Sequence, residues 1–194
     1  NIDKVADIAI AAKFRNNGQV CISPNRFYVQ ENVKNEFVNA FIDRAKKLKI
    51  GNGMDEGVNL GPLTTAKRLE EIEKLVDKTK KEGAEVLLGG KRPSGFNKGF
   101  FYEPTVFDHV KDDFTIMKEE PFGPLVPMLS FKSFDEVIER ANDNDLGLCS
   151  YLYTNSMDKA NRGSELLETG CVAVNTGAVA IAEAPFGGIK QTGY

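Results

Sequence analysis

The sequence predicts an α/β fold on a largely parallel sheet, covered by helices on both faces. Two observations carry this. Strand-like and helix-like segments alternate from one end of the chain to the other, and the two long helical segments are amphipathic, each with a glycine placed to stop it. A third sets the domain count. No repeat, low-complexity tract or shift in composition interrupts the 194 residues, so one domain over residues 1–194 is expected.

Taken in order, Asp3 is placed to cap a helix with Val5, Ile8, Ala9 and Ala12 on one face. Asn25 to Gln30 reads as a strand. Val33, Phe37, Phe41, Ala45 and Leu48 then recur at helical spacing, and Gly51 is placed to end that helix. A Gly-rich connector leads to Pro62. The next helix runs from Thr64 or Thr65 to about Glu82, with Leu69, Ile72, Leu75 and Val76 inward and Gly83 as its stop. Glu85 to Gly90 gives a short strand before a turn-rich stretch through Gly99. Leu125 to Phe131 is a strand, and Ser133 with Glu136 spells a capping box for the helix that follows. Strands at Leu148 to Tyr153 and Cys171 to Val174 flank a helix near Ser156 to Leu167.

Composition excludes several function classes. With Lys+Arg 25 against Asp+Glu 28, the net charge of −3 offers no electrostatic footing for nucleic acid or an anionic membrane. The charged run from Lys67 to Glu82 is a solvated helix face. No apolar run approaches the roughly 18–20 residues of a membrane span. Three Cys is an odd, small number, which fits a reducing, cytoplasmic setting better than a disulfide framework. The first residue is Asn, so the native N-terminus and any leader lie open. Neither G-x-G-x-x-G nor G-x-x-x-x-G-K-[ST] is present. No metal site is expected, because the cysteines lack C-x-x-C spacing and His109 is the one histidine. His109 reads as a surface or satisfied core residue, and no G-x-S-x-G elbow accompanies it.

The segment Phe14-Arg-Asn-Asn-Gly-Gln-Val-Cys21 sits where a helix yields to a loop before a strand. Gly18 permits a tight turn, and Asn16 and Gln19 can hydrogen-bond irregular backbone. A thiol in such a turn is accessible and flanked by backbone N–H groups, which suits a nucleophile with an oxyanion hole. The alternative is a small core cysteine. Cys149 and Cys171 lie in apolar strand patterns and read as core.

At these residues the sequence resembles the aldehyde dehydrogenase superfamily. The family's F-x-N-x-G-Q-x-C is present at Phe14, Asn16, Gly18, Gln19 and Cys21. Glu119-Glu-Pro-Phe-Gly-Pro124 matches a second motif. Pro185-Phe-Gly-Gly-Ile-Lys-Gln-Thr-Gly193 matches a third, with Thr192 where the family has Ser. Gly61-Pro62 and Gly170 to Asn175 fall in the expected order, so the resemblance covers nearly the whole chain. It implies NAD- or NADP-dependent oxidation of an aldehyde to a carboxylic acid, with Cys21 as the nucleophile forming a thiohemiacetal and then a thioester. It also implies Glu120 at the nicotinamide-side ribose, where a carboxylate offers acceptors only, with Phe122 beside it. An exposed loop acid is the other reading of Glu120.

Arg15 points to the substrate. Within the family, Arg in F-R-N-x-G-Q resembles succinate-semialdehyde dehydrogenases, as do Asn175-Thr-Gly177 and Ala184-Pro185. A guanidinium can bind an ω-carboxylate bidentately, so the resemblance implies succinate semialdehyde or a related semialdehyde. A surface ion-pair partner is the alternative for Arg15. Phe186 lines the substrate pocket or packs. Two departures stand out: the stretch at Ala180-Ile181 lacks a substrate-binding Ser, and Ser23 replaces a second, redox-active Cys. A cofactor-independent thiol hydrolase pairing Cys21 with His109 is the competing function.

The resemblance also bears on length. Family members are more than twice as long, and their cofactor domain, general-base glutamate and oxyanion-hole asparagine lie upstream of the cysteine motif. Residues 1–194 are therefore expected to be the thiol-nucleophile portion of an enzyme, without the cofactor domain or oligomerisation segment. Alone it is expected neither to bind NAD tightly nor to turn over, while the full-length parent is expected to be a homo-oligomer acting on a small-molecule aldehyde.

Overall fold

The apolar run from Leu125 to Leu129 becomes the doubly buried centre of a sheet. The structure, a computed structural model, describes residues 1–193. Its main sheet has β1 (Phe27–Gln30), β2 (Glu85–Leu88), β3 (Thr105–Asp108) and β4 (Leu125–Phe131) in the order β1-β4-β3-β2. β4 runs parallel to both β1 and β3, and β2 closes one edge antiparallel to β3. The mixed edge has a simple cause. No helix crosses over between β2 and β3, and a parallel partner requires such a crossover.

Helices cover both faces, as expected. On one side α1 (Ile2–Phe14) and α2 (Lys34–Ala45) pack Phe14, Phe37 and Phe41 against Phe27, Val106, Val126 and Met128. On the other, α3 (Ala66–Lys81) and α4 (Thr115–Lys118) pack Ile72, Val76 and Ile116 against Phe107, Leu125 and Leu129. Successive β4 residues thus point into different cores, which is why that strand carries no polar alternation.

A smaller lobe follows. Here α5 (Phe134–Asn142), α6 (Met157–Leu166), the parallel pair β6 (Cys149–Leu152) and β7 (Cys171–Val174), and the antiparallel pair β5 (Leu146–Gly147) and β8 (Ile189–Lys190) come together. The Ser133–Glu136 capping box forms as read: Glu136 N–H donates to Ser133 Oγ at 3.2 Å and Ser133 N–H to the Glu136 carboxylate at 3.4 Å.

Several expectations need correction. Asn1, not Asp3, caps α1, because its Oδ1 is the acceptor within reach of Lys4 N–H at 3.0 Å. α2 stops at Ala45, and three turn-type bonds carry the chain on to Leu48 before Gly51. The strand expected over Leu148–Tyr153 forms as β6, paired to β7, and the separate two-residue β5, paired to β8, precedes it unanticipated. β3 and α4 lie in a stretch that the sequence left unassigned; each is four residues long, too short for a periodic signal.

Candidate active site

The Phe14–Cys21 segment turns through a run of left-handed residues. Asn16, Asn17 and Gly18 have φ of 49°, 59° and 74°, a conformation that Asn and Gly tolerate best. Two side chains hold it. Asn16 Nδ2 donates to Gln19 O, and Gln19 Nε2 donates back to Asn16 O, each at 3.1 Å. Gln19 Oε1 also accepts from Thr64 N–H at 2.9 Å, and Asn17 Nδ2 donates to Gly61 O at 3.0 Å. The Gly61–Thr64 connector is therefore the splint of this turn. That gives a structural use to Gly61-Pro62, which the sequence marked only by its order.

Cys21 emerges from the turn as an exposed free thiol. The N–H groups of Gln19 and Ser23 are occupied by the carbonyls of Asn16 and Val20. The Cys21 N–H has no acceptor among the described residues, so it is free to donate to a group bound beside the thiol.

Cys21 stands on the wall between two cavities. The smaller, about 240 Å³, is lined by its neighbours Val20 and Ile22 together with Ile8, Arg15, Tyr151 and Gly177. The larger, about 740 Å³, is lined by Cys21 itself and by Glu120 and Phe122. Tyr151 lines both cavities, and its hydroxyl donates to Ile22 O at 2.8 Å, next to Cys21. The strand pattern gave no hint of Tyr151, because only the fold brings β6 against the cysteine turn.

The second motif is wedged against the first. A Cβ on Gly18 would stand 2.2 Å from Gly123 O, and one on Gly123 would stand 2.4 Å from Ile72 Cδ1. Two glycines in sequence-distant motifs thus let the cysteine turn rest on Glu119–Pro124, which rests on α3. Arg68 donates to Pro121 O at 3.3 Å and fixes the same loop. Partial burial pushes the Glu120 carboxyl up, opposed by the nearby Arg68 guanidinium. Phe122 adopts φ 42°. Glu120 and Phe122 thus bring a carboxylate and an aromatic ring to the lining of the large cavity.

The remaining expected residues fall as follows. Arg15 is exposed, lines the small cavity and makes no ion pair among the described residues. Phe186 is 47% exposed and lines neither cavity. Cys149 is only partly buried and faces the larger cavity, where burial pushes its thiol up to about 11. Cys171 is partly buried too, its Sγ 3.8 Å from Pro185 O, so neither belongs to the closed core expected for them. Strands of a two-stranded pair have no second layer to close over both thiols. His109 is an exposed side chain 3.4 Å from Glu85 and lines neither cavity, so nothing pairs it with Cys21. No group of three or more metal-ligating side chains occurs among the described residues, and no helix among them is long and apolar enough to cross a membrane.

The third motif has a holding role. Thr192 Oγ1 accepts from Gly147 N–H at 2.9 Å, a bond that a Ser hydroxyl would make equally. Lys190 Nζ donates to Asn142 O at 2.7 Å and Asn144 O at 3.0 Å and pairs with Glu168 at 2.7 Å, tying β8 to the end of α5.

The α/β scaffold thus presents an exposed thiol beside two cavities, with a guanidinium lining one and a carboxylate and an aromatic ring lining the other. The chain belongs to the aldehyde dehydrogenase family, which it matches over residues 1–194. It is 44% identical to a probable NADP(+)-type succinate-semialdehyde dehydrogenase of Sinorhizobium fredii and 42% identical to a glutarate-semialdehyde dehydrogenase of Pseudomonas putida. Each alignment covers all of this chain and 39% of the relative. The crystal structure of succinate-semialdehyde dehydrogenase from Burkholderia pseudomallei superposes with a TM-score of 0.96 at 41% identity, over all of this chain and 40% of that one. The chain thus spans about two fifths of the length of these relatives.

Proposed function

We propose that residues 1–194 form the thiol-nucleophile part of an NAD- or NADP-dependent dehydrogenase for succinate semialdehyde or another short ω-carboxylate semialdehyde. The placing of Cys21 between the Arg15 cavity and the Glu120–Phe122 cavity carries this reading. Arg15 receives the distal carboxylate in its planar fork, which aims the aldehyde end toward Cys21. The Cys21 thiolate attacks the aldehyde carbon, and the Cys21 N–H holds the oxygen as it gains charge in the thiohemiacetal. Glu120 would hold ribose hydroxyls of the nicotinamide cofactor and Phe122 would lie beside it. When bound, that cofactor supplies the hydride acceptor that aldehyde oxidation requires. Water then releases the acyl group from Cys21 as the carboxylic acid.

The names of the relatives, succinate and glutarate semialdehyde dehydrogenases, support the substrate class. The NADP(+) in one of those names supports the cofactor class. The test compares Arg15→Ala with the unaltered full gene product on succinate semialdehyde and on an uncharged aldehyde of equal length. Losing a charged hydrogen-bond pair costs about 1.5–3 kcal/mol, so kcat/KM for the semialdehyde falls roughly 10- to 150-fold while the uncharged aldehyde is nearly unaffected. An equal loss on both substrates rules out Arg15 as the carboxylate-binding residue.

A further inference from the structure

Among the described residues, Lys13 is the only charged one in the buried polar set, with 0% of its surface exposed. It continues the buried stripe of α1 formed by Ala6 and Ala9, where an apolar side chain would sit without penalty. Burial holds its ammonium down to about 7, and no carboxylate lies within ion-pair distance of it among the described residues. A side chain that costs stability where it stands must be accounted for by its contacts.

Those contacts all point past the nucleophile. Lys13 Nζ donates to Asn25 Oδ1 at 3.2 Å, and Lys13 O accepts from the buried Ser23 Oγ at 3.1 Å. One residue ahead of the cysteine turn therefore grips two residues beyond it. The segment between them carries Arg15, the left-handed Asn16–Gly18 run and Cys21, and it is closed at its neck by these two bonds. From that geometry we infer that Lys13 is a positioning residue for Cys21. Its amine, seated on Asn25 Oδ1, fixes the neck of the 14–24 loop and so sets where Sγ stands between the two cavities.

The inference rests on Cys21 being the nucleophile, and the test separates the two claims. In the full gene product, Lys13→Met, Asn25→Leu and the double variant are compared for thermal midpoint, for kcat and KM, and for the rate of Cys21 alkylation by iodoacetamide. Cys21→Ser serves as control. Lys13→Met lowers kcat roughly tenfold to a hundredfold, with KM changing less than about threefold, the scale of a displaced reacting group. The double variant removes both members of the Lys13–Asn25 pair, so neither is left buried without the other and the thermal midpoint returns to wild type or above. Its kcat and alkylation rate stay low, because the Lys13–Asn25 bond is gone and only the Ser23 bond to the Lys13 carbonyl still holds the neck. Recovery of kcat to within twofold in the double variant makes Lys13 a folding residue only and overturns the inference. So does a Lys13→Met enzyme within twofold of wild type. If Lys13→Met fails to fold, the double variant decides alone. If Cys21→Ser turns over normally, the nucleophile assignment fails, and this inference with it.

Discussion

Gly18→Ala tests the contact on which the site is assembled. Gly18 has φ +74°, and a Cβ there would lie 2.2 Å from Gly123 O and 2.7 Å from Gly123 C. The left-handed backbone costs an Ala about 1–2 kcal/mol. The overlap falls on backbone atoms that no rotamer change can clear, and forced overpacking adds about 1–3 kcal/mol. The total is about 2–5 kcal/mol. Gly57 is the internal control: its φ is +76° and nothing lies within 4 Å of its would-be Cβ, so Gly57→Ala carries the backbone cost alone. Urea unfolding of both variants gives the difference directly, provided the slope m is unchanged. Gly18→Ala should lose about 1–3 kcal/mol more than Gly57→Ala, and turnover of the full gene product should fall on the order of a hundredfold as Cys21 is displaced from its motif. Equal losses at the two glycines would refute the claim that the cysteine turn rests on the Glu119–Pro124 loop.

Further outcomes follow from the same geometry. Tyr151→Phe removes the donor to Ile22 O and should cost about 0.5–1.5 kcal/mol, read as a roughly threefold to tenfold fall in kcat with cofactor KM unchanged. Lys13 makes stability rise with pH: its folded value of about 7 lies below the 10.5 of an ordinary lysine, so between those values the unfolded chain binds the extra proton. Unfolding free energy, taken relative to Lys13→Met, should climb by about 1.4 kcal/mol per pH unit from pH 7 to 9. A flat difference would mean that Lys13 keeps its proton on folding, so that burial does not lower its pKa. His109→Ala should leave turnover within about twofold of wild type, since surface changes are close to neutral, and a large loss would bring a histidine base back into consideration.

Much of this was legible in the residues, and the misses have physical causes. The amphipathic repeat of α3, with Leu69, Ile72, Leu75 and Val76 inward, and the Ser133–Glu136 box are local signals, and they form as read. The turn chemistry of Asn16, Gly18 and Gln19 was also readable, because those side chains bond within three residues of themselves. Tyr151 and Lys13 were not. Tyr151 meets Ile22 across a sequence gap of 129 residues, and Lys13 occupies a helix position whose polar residue pattern alone assigns to solvent. The strand β3 escaped because Thr105–Asp108 borrows its stability from β4 and β2 on either side rather than from its own pattern.

The central claim is that Cys21 takes an acyl group from an aldehyde held by Arg15. Steady-state oxidation of succinate semialdehyde by the full gene product, with NAD and with NADP, beside Cys21→Ser and with the intact mass of the protein followed during turnover, addresses it most directly. The account predicts turnover with at least one of the two cofactors, a loss on the order of a thousandfold or more in Cys21→Ser, and a succinyl adduct confined to the peptide bearing Cys21. Turnover that survives Cys21→Ser, or an adduct on Cys149 or Cys171 instead, would contradict it.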